Sequence, residues 1–209
     1  MRMAPLGDSA WILSELEAAP HAVAATLESL AIQGLIEAVA SYETVGLYVD
    51  PSVFDPETIP SVASQEVAPP RTHTVPVCYE MGEDLAAAAD ALGLPAQRLI
   101  EFHTAKEYDC FAIGFCPGFP YLGYLDERIS GLPRLSSPRP RVPAGSVAIT
   151  GRQTGIYPLE RPGGWNIIGR TPLCLVDVAA RYFPISAGDR IRFESISVGD
   201  YDRLLGERL

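Results

Sequence analysis

The sequence predicts an α+β protein in which a small α/β unit is followed by a compact β-barrel. Helical and strand patterns alternate first and then give way to short β-type runs. Between Cys116 and Pro172 there are 9 prolines and 9 glycines in 57 residues, and these residue types end helices and force turns. Residues 1–109 hold 4 Lys and Arg against 17 Asp and Glu, a net charge of −13, whereas residues 110–209 hold 12 against 9, a net of +3.

The first 78 residues predict a split βαβ unit of the ferredoxin-like kind. Pro20 and Pro56 each suit the first turn of a helix, because their fixed φ is already helical. The predicted order is a strand at Ser9–Ser14, a helix carrying Val23, Leu27 and Leu30, strands at Ile36–Ala40 and Thr44–Val49 joined by a turn at Ser41–Tyr42, a helix from Pro56 continuing over Glu57–Val67, and a strand at Thr72–Cys78.

Two helices are predicted next, the first from Asp84 to Gly93 and the second starting at Pro95. Short strands then follow between turns, which is typical of a barrel with long ordered loops. The predicted strands are Phe111–Phe115, Ser146–Thr150, Trp165–Ile168, Cys174–Val178 and Arg190–Ser195, with a short helix at Asp200–Glu207. We therefore predict an N-terminal domain over residues 1–80, a helical connector over 81–105 and a barrel domain over 106–209.

The composition excludes several classes of protein. A chain of 209 residues buries a core large enough to need no disulfide or metal. No apolar run is long enough for a transmembrane helix or a secretory leader, so we expect a cytoplasmic protein without membrane contact. The net charge of −10 argues against nucleic-acid binding. Four cysteines without a C-x-x-C pair and three histidines argue against a zinc site, so we expect no metal ligands.

Common enzyme signatures are absent from the sequence. There is no G-x-x-x-x-G-K-[ST] phosphate loop, no G-x-G-x-x-G after a strand, no G-x-S-x-G elbow and no H-E-x-x-H. Any chemistry of this chain is therefore uncommon or shared with another chain.

The segment Gly114–Gly123 predicts a rigid, shaped loop, because it holds two prolines and three glycines. Its aromatic residues Phe115, Phe119 and Tyr121 cannot all be buried in so tight a loop. The loop is therefore either the wall of a site or a hairpin that plugs one end of the barrel. Cys116 gives the loop a thiol.

The segment Pro138–Val147 alternates proline and arginine and predicts an extended edge. Arg139 and Arg141, two residues apart, would point in the same general direction and suit an anionic ligand. The alternative is a solvated edge strand that proline protects from pairing.

Two further segments carry polar groups. Gln153 offers both a donor and an acceptor, as an amide substrate requires, and the turn Pro162–Gly164 can expose amide N–H groups to an anion. Trp165 is predicted to belong to the core rather than to stack on a ligand. His103 ends a predicted helix, where a histidinium complements the helix C-terminus; the alternative is a role in proton transfer.

These segments, Gly114–Asp126 and Pro138–Pro172, closely resemble one bacterial family, known as the KipI family, as allophanate hydrolase subunit 1 or as PxpB, the B-type subunit of 5-oxoprolinase. Leu6–Ala10, Val75–Tyr79 and His103 with Tyr108 also fit it. Cys116 is a departure, since relatives often carry a bulkier apolar residue there. The resemblance implies a ferredoxin-like N-terminal domain and a cyclophilin-like C-terminal barrel.

The resemblance also implies a function: the B-type subunit of an ATP-dependent complex that opens 5-oxo-L-proline, a cyclic amide, to L-glutamate. ATP is then shared with the partner subunits, of the A and C type, and the chain alone is inactive. Two alternatives remain, an inhibitor of a histidine kinase and a carboxyltransferase module of a urea carboxylase or allophanate pathway.

For the enzyme, site residues are expected in three groups. Those expected to be catalytic are His103, Gln153 and Tyr157; those expected to bind substrate or anions are Arg139, Arg141, Arg170, Gly163 and Gly164; those expected at a partner interface are Pro117, Gly118, Phe119, Pro120 and Tyr121.

Overall fold

The computed structural model describes residues 1–62 and 69–209. The chain divides into two compact units, Met1–Pro70 and Arg71–Leu209. Within the described residues, no helix combines the length and the hydropathy needed to cross a bilayer.

The first unit is a four-stranded antiparallel sheet with one α-helix packed on it. The strand order is β1-β2-β4-β3, and the buried side chains of Leu13, Val45 and Leu47 form its core face. The elements are β1 (Arg2–Pro5), β2 (Ala10–Ser14), α1 (Pro20–Ser29), β3 (Leu35–Ser41) and β4 (Thr44–Val49).

Helix α1 begins where the sequence predicts, with Pro20 in its first turn. Val23 and Leu27, one helical turn apart, are buried against β3 and β4. The strands β3 and β4 pair directly across a two-residue turn, with Ser41 opposite Thr44. The predicted hairpin is therefore present.

The helix predicted from Pro56 is a single 3-10 turn, Pro56–Thr58. The Asp55 carboxylate accepts a hydrogen bond from the Glu57 N–H and caps this turn. Ile59 then adopts an extended conformation, because the following Pro60 disfavours helical geometry in the residue before it. Residues 59–62, also predicted to be helical, are not helical, and residues 63–67 of the predicted helix lie outside the described part of the chain.

The second unit is built on a seven-stranded, barrel-like sheet of order β12-β9-β10-β7-β6-β13-β5, beside a two-stranded ribbon, β11-β8. All its pairings are antiparallel except the parallel pair of β13 and β5. The strands are β5 (Thr72–Val77), β6 (Glu107–Ile113), β7 (Pro120–Gly123), β8 (Arg139–Val142), β9 (Ser146–Thr150), β10 (Gln153–Ile156), β11 (Arg161–Gly163), β12 (Asn166–Arg170) and β13 (Arg190–Ser195).

A bridge between the two edge strands brings the sheet towards closure. Cys78, directly after β5, donates its N–H to the Arg170 carbonyl at 2.8 Å, and the Arg170 N–H donates to the Cys78 carbonyl at 3.0 Å. The edges of β5 and β12 are thus partly satisfied by one another, as in a barrel.

Helices α2 (Leu85–Ala91) and α3 (Ala96–Thr104) pack on β12 and β13, and α4 (Val198–Leu204) lies near the end of the chain. The barrel core includes Val77, Leu99, Leu122, Ile149 and Phe193, all essentially inaccessible to solvent. The predicted connector helices are therefore part of the second unit.

The strand predicted at Thr72–Cys78 forms, but it pairs with β13 in the second unit and buries Val75 and Val77 in the barrel core. In the first unit, the free edge of β2 is instead covered by β1, a strand that the sequence analysis did not predict. The ferredoxin-like topology predicted for residues 1–80 is not confirmed.

Two predicted barrel strands need correction. The first strand runs over Glu107–Ile113 rather than Phe111–Phe115, because Phe115 has a φ of 65° and turns the chain. Cys174–Val178 is no strand: Cys174 bridges Arg208 and Asp177 bridges Tyr182, so its residues face different partners. The predicted strands Ser146–Thr150 and Arg190–Ser195 are confirmed.

Candidate functional site

Five aromatic side chains gather at one side of the barrel, and we call them the aromatic cage: Phe115, Phe119, Tyr121, Tyr157 and Trp165. Phe119 is the hub. Its ring centroid lies 5.0 Å from Tyr121, 5.2 Å from Tyr157 and 5.5 Å from Trp165, each in an edge-to-face arrangement. Such pairs are favourable beyond their buried area, so the cage is a fixed structure.

The loop between β6 and β7 places the two phenylalanines. The Gly114 N–H donates to the Phe119 carbonyl at 3.1 Å, and the Phe119 N–H donates to the Cys116 carbonyl at 3.1 Å. This fold-back turns Phe119 inward, where it is 2% exposed, and leaves Phe115 59% exposed at the rim. The loop is therefore a wall of the cage.

Two glycines leave room for the cage. A Cβ at Gly155 would lie 2.9 Å from Phe119 Cζ and 3.1 Å from Trp165 Cζ3, and a Cβ at Gly163 would lie 2.3 Å from the Tyr157 hydroxyl. Real Cβ atoms do not approach other atoms so closely, so the aromatic rings occupy space that only glycine leaves free.

The cage lines a cavity of about 260 Å³. Its other walls come from the segment before β8 and from the turn Pro162–Gly164. Arg134 is the charged residue among the lining residues, which are Phe115, Phe119, Tyr121, Arg134, Leu135, Pro138, Tyr157, Pro162, Gly163, Gly164 and Trp165. The cavity thus combines flat apolar walls with one guanidinium.

The two phenols of the cage are neutral at physiological pH. Burial raises the pKa of Tyr157, and the backbone N–H of Trp165 and the nearby Arg134 guanidinium oppose that rise only in part. Burial likewise raises the pKa of Tyr121, again against Arg134. Both hydroxyls can therefore donate a hydrogen bond, but neither is a base.

Cys116 packs behind the cage with Phe119, Tyr157 and Trp165. Burial raises the pKa of its thiol, and Arg161 opposes this rise. A thiol held in its neutral form is a poor nucleophile. Among the residues that the structure describes, no group of three or more His, Cys, Asp or Glu side chains is placed to hold a metal ion.

The structure places His103 in the core and not in the cavity. Its side chain is fully buried, with Nδ1 2.7 Å from the Tyr79 hydroxyl and Nε2 2.9 Å from Thr154 Oγ1. Burial lowers the pKa of the imidazole to about 3, so it is neutral. The imidazole is therefore neutral rather than the histidinium expected at the helix C-terminus, and His103 is not among the residues that line the cavity.

The three arginines expected to bind anions lie outside the cavity lining. Arg139 pairs with Asp84 and lies 3.4 Å from Glu83. Arg170 donates its Nε–H to the Ala144 carbonyl at 3.0 Å. Arg141 extends into solvent, 81% exposed, 3.8 Å from Glu160.

The chain matches the protein family described as "Carboxyltransferase domain, subdomain C and D" over residues 1–184. It is 36% identical to the B-type subunit of 5-oxoprolinase from Bacillus subtilis over 224 aligned positions, which cover 94% of this chain and 93% of that protein. The chain belongs to the family of 5-oxoprolinase B-type subunits. The family resemblance predicted from the motifs is thereby confirmed.

Two further comparisons agree with membership of this 5-oxoprolinase family. The corresponding B-type subunit of Escherichia coli O157:H7 is 50% identical over 123 residues, which cover 57% of this chain and 56% of that protein. The crystal structure of TTHA0988 superposes with a TM-score of 0.77 at 34% identity, over 90% of this chain. The matched part is 40% of the TTHA0988 chain, so the same fold there is one section of a longer polypeptide.

Within this member of the 5-oxoprolinase B-type family, the cavity brings together Tyr157, Gly163 and Gly164 from the residues predicted to be catalytic or to bind substrate, and Phe119 and Tyr121 from the predicted partner interface. Gln153, on β10 opposite Thr150 and Gly123, is not among the lining residues. Trp165 is 5% exposed, as expected of a core residue, yet its ring also forms a cavity wall.

The loop predicted as a partner interface is mostly turned inward. Gly118, Phe119 and Pro120 are buried, and a Cβ at Gly118 would lie 2.2 Å from Val176 Cγ2. The exposed members are Pro117 and, just before the predicted stretch, Phe115. The surface of this loop is therefore smaller than the sequence suggested.

Sequence reasoning missed Arg134. A signal was present, since Pro133-Arg134 begins the proline and arginine pattern that continues at Pro138-Arg139 and Pro140-Arg141. Arg134 and Arg139 are five positions apart in the sequence, and only the folded structure shows which of the two lines the cavity.

Proposed function

We propose that this chain is the B-type subunit of an ATP-dependent 5-oxoprolinase complex, cytoplasmic, which opens 5-oxo-L-proline to L-glutamate. The observation that carries the proposal is the match to the Bacillus subtilis 5-oxoprolinase protein, which extends over nearly the full length of both chains. Such coverage extends over both compact units.

The proposed chemistry explains the need for ATP. A lactam resists hydrolysis, so ATP transfers its terminal phosphoryl group to the carbonyl oxygen. Water then adds to the carbonyl carbon, and the ring C–N bond breaks onto the nitrogen, which takes a proton. A second water cleaves the resulting acyl phosphate to glutamate and phosphate. Such steps depend on positioning and on charge stabilisation rather than on a protein nucleophile.

The active site is proposed to be shared between subunits. Within the described residues, the cavity lining contains no carboxylate, imidazole, thiol or lysine. The two phenols are neutral, since burial raises the pKa of each. Proton transfer at neutral pH therefore requires groups from another chain, and an A-type and a C-type subunit are the proposed partners.

Arg141 is proposed to bind the phosphates of ATP. Its guanidinium is 81% exposed and 3.8 Å from one exposed carboxylate, so it remains accessible from outside the barrel. Phosphates bound between subunits need such a cation. ATP would then lie at the boundary with a partner rather than within this chain.

The test is reconstitution of purified full-length chains. This chain incubated alone with ATP and 5-oxo-L-proline should release no glutamate, and addition of the A-type and C-type subunits should start release. Turnover by the lone chain at the rate of the mixture would contradict a shared site. No turnover in any mixture, together with tight binding to a histidine kinase, would replace this proposal by the inhibitor alternative.

A further inference from the structure

The cavity has an uncompensated positive charge. Arg134 lines it, and no carboxylate belongs to the lining, although the chain as a whole carries a net charge of −10. Within the described residues the Arg134 guanidinium forms no ion pair, whereas Arg139, Arg141, Arg190 and Arg208 each lie beside an acidic side chain. An unpaired guanidinium beside apolar walls suits one anionic group of a ligand.

The size of the cavity limits the ligand. Pockets for drug-sized molecules occupy roughly 300–1,000 Å³, and this one is about 260 Å³. The walls are flat rings fixed by edge-to-face contacts around Phe119. The rings pack so closely that a Cβ at Gly155 or Gly163 would overlap them. A small ring fits such a space, and a nucleotide with three phosphates does not.

We propose that this cavity binds the cyclic amide itself, with the ring of 5-oxo-L-proline between the cage walls and its carboxylate on Arg134. This inference rests on the proposed function and adds to it the place of the substrate and a specificity-determining residue. ATP, by contrast, binds outside the cavity.

The phenols supply the remaining recognition. Tyr157 and Tyr121 stay protonated at neutral pH, and both lie close enough to Arg134 for its charge to lower their pKa values in part. A neutral hydroxyl donates to the lactam carbonyl oxygen, while the guanidinium takes the carboxylate. The two polar ends of one small ligand are thus recognised by different groups of the same cavity.

A tryptophan of the cage reports binding directly. The chain has two tryptophans, Trp11 in the first unit and Trp165 in the cage, so Trp11→Phe leaves Trp165 as the single emitter. Titration of this full-length variant with 5-oxo-L-proline should change Trp165 emission and saturate. ATP should cause no saturable change. Isothermal titration of the wild-type chain provides a second measurement that does not depend on the Trp11 substitution.

Arg134→Gln tests the guanidinium. Arg134 is exposed, so the variant should fold and melt like the wild type. Loss of a charged hydrogen bond weakens binding by about 10- to 100-fold, and we expect the dissociation constant for 5-oxo-L-proline to rise by that factor. Arg203→Gln, on α4 and paired with the exposed Asp200, removes the same charge away from the cavity and should not change binding.

The ligand can be varied as well as the protein. 2-Pyrrolidinone has the same lactam ring without the carboxylate, so it should bind the wild type more weakly. Arg134→Gln should abolish the difference between the two ligands. Equal losses in Arg134→Gln and Arg203→Gln, or no binding of 5-oxo-L-proline to the wild-type chain by either method, would overturn the inference.

The outcome is separable from that of the proposed function. Glutamate release by the reconstituted complex with an unchanged KM for 5-oxo-L-proline in Arg134→Gln would remove the substrate from this cavity and leave the function intact. Arg134-dependent binding of 5-oxo-L-proline without glutamate release in any mixture would keep the cavity assignment and reject the enzyme.

Discussion

The imidazole of His103 lies in the core of the barrel unit, with hydroxyl groups of Tyr79 and Thr154 at its two ring nitrogens. Burial lowers its pKa to about 3 in the native state, whereas an unfolded chain has a histidine pKa of about 6.5. The unfolded state therefore binds the proton more readily. The free energy of unfolding should fall as the pH drops below about 6.5. The loss of stability due to His103 is complete near pH 3.

This linkage can be measured by denaturant unfolding between pH 7 and pH 5, where His103 should contribute about 2 kcal/mol of lost stability. His103→Gln should be less stable at pH 7 but should lose less stability than the wild type over this range. His21→Gln, in the first unit, serves as the control and should keep the wild-type slope. An identical pH slope in His103→Gln and the wild type would show that the imidazole is not held neutral.

Gly155 is a second single residue on which the structure depends, because the aromatic cage packs directly against it. A methyl group there would meet Phe119, Trp165 and the Pro120 carbonyl at 2.9–3.1 Å. Gly155→Ala should therefore destabilise the protein by about 1–3 kcal/mol, the usual cost of overpacking a core. Gly114→Ala is the matched control, because its Cβ would lie 3.7 Å from Tyr121 Cε2, an ordinary contact. Equal melting temperatures for the two variants would mean that the cage is loosely packed.

Among the elements, the start of α2 is held to two strands by one side chain. Asp84 pairs with Arg139 of β8 and accepts the Ile167 N–H of β12 at 2.7 Å. Asp84→Asn removes the charge and leaves a partly buried guanidinium, which should cost about 1–3 kcal/mol in denaturant unfolding. Glu83→Gln, at an exposed site 3.4 Å from the same arginine, should cost less than about 1 kcal/mol. A reversed order of the two losses would contradict this role for Asp84.

Sequence patterns predicted the helices and strands better than they predicted which strands pair with one another. Helix α1, the hairpin of β3 and β4, and the strands β9 and β13 follow from local spacing and turn residues. The partner of Thr72–Val77 does not, because β13 pairs with it from more than a hundred residues away in the sequence. The site shows the same difference. The aromatic and glycine segments were visible as motifs, but the sequence does not show that Arg134 lines the cavity while Arg139 pairs with Asp84, because this depends on tertiary contacts.

For the whole molecule, the division at Pro70 and Arg71 predicts which fragments fold. Residues 71–209 contain β5 and both helices that pack on the barrel, so this fragment should melt cooperatively. Residues 106–209 lack β5, which pairs with β13 over Thr72–Val77, and also lack α2 and α3, so this fragment should be molten or insoluble. Calorimetry of the two fragments checks this, and a cooperative transition in the shorter one would show that the barrel folds without β5, α2 and α3.

The role proposed for this chain is to complete a multisubunit 5-oxoprolinase. The most direct measurement holds the A-type and C-type subunits and ATP at fixed concentration and adds this chain in increasing amounts while glutamate release from 5-oxo-L-proline is followed. We expect a rate that rises from baseline and saturates at a fixed ratio of subunits. A rate that is independent of this chain, or that grows with it in the absence of the other subunits, would contradict the claim.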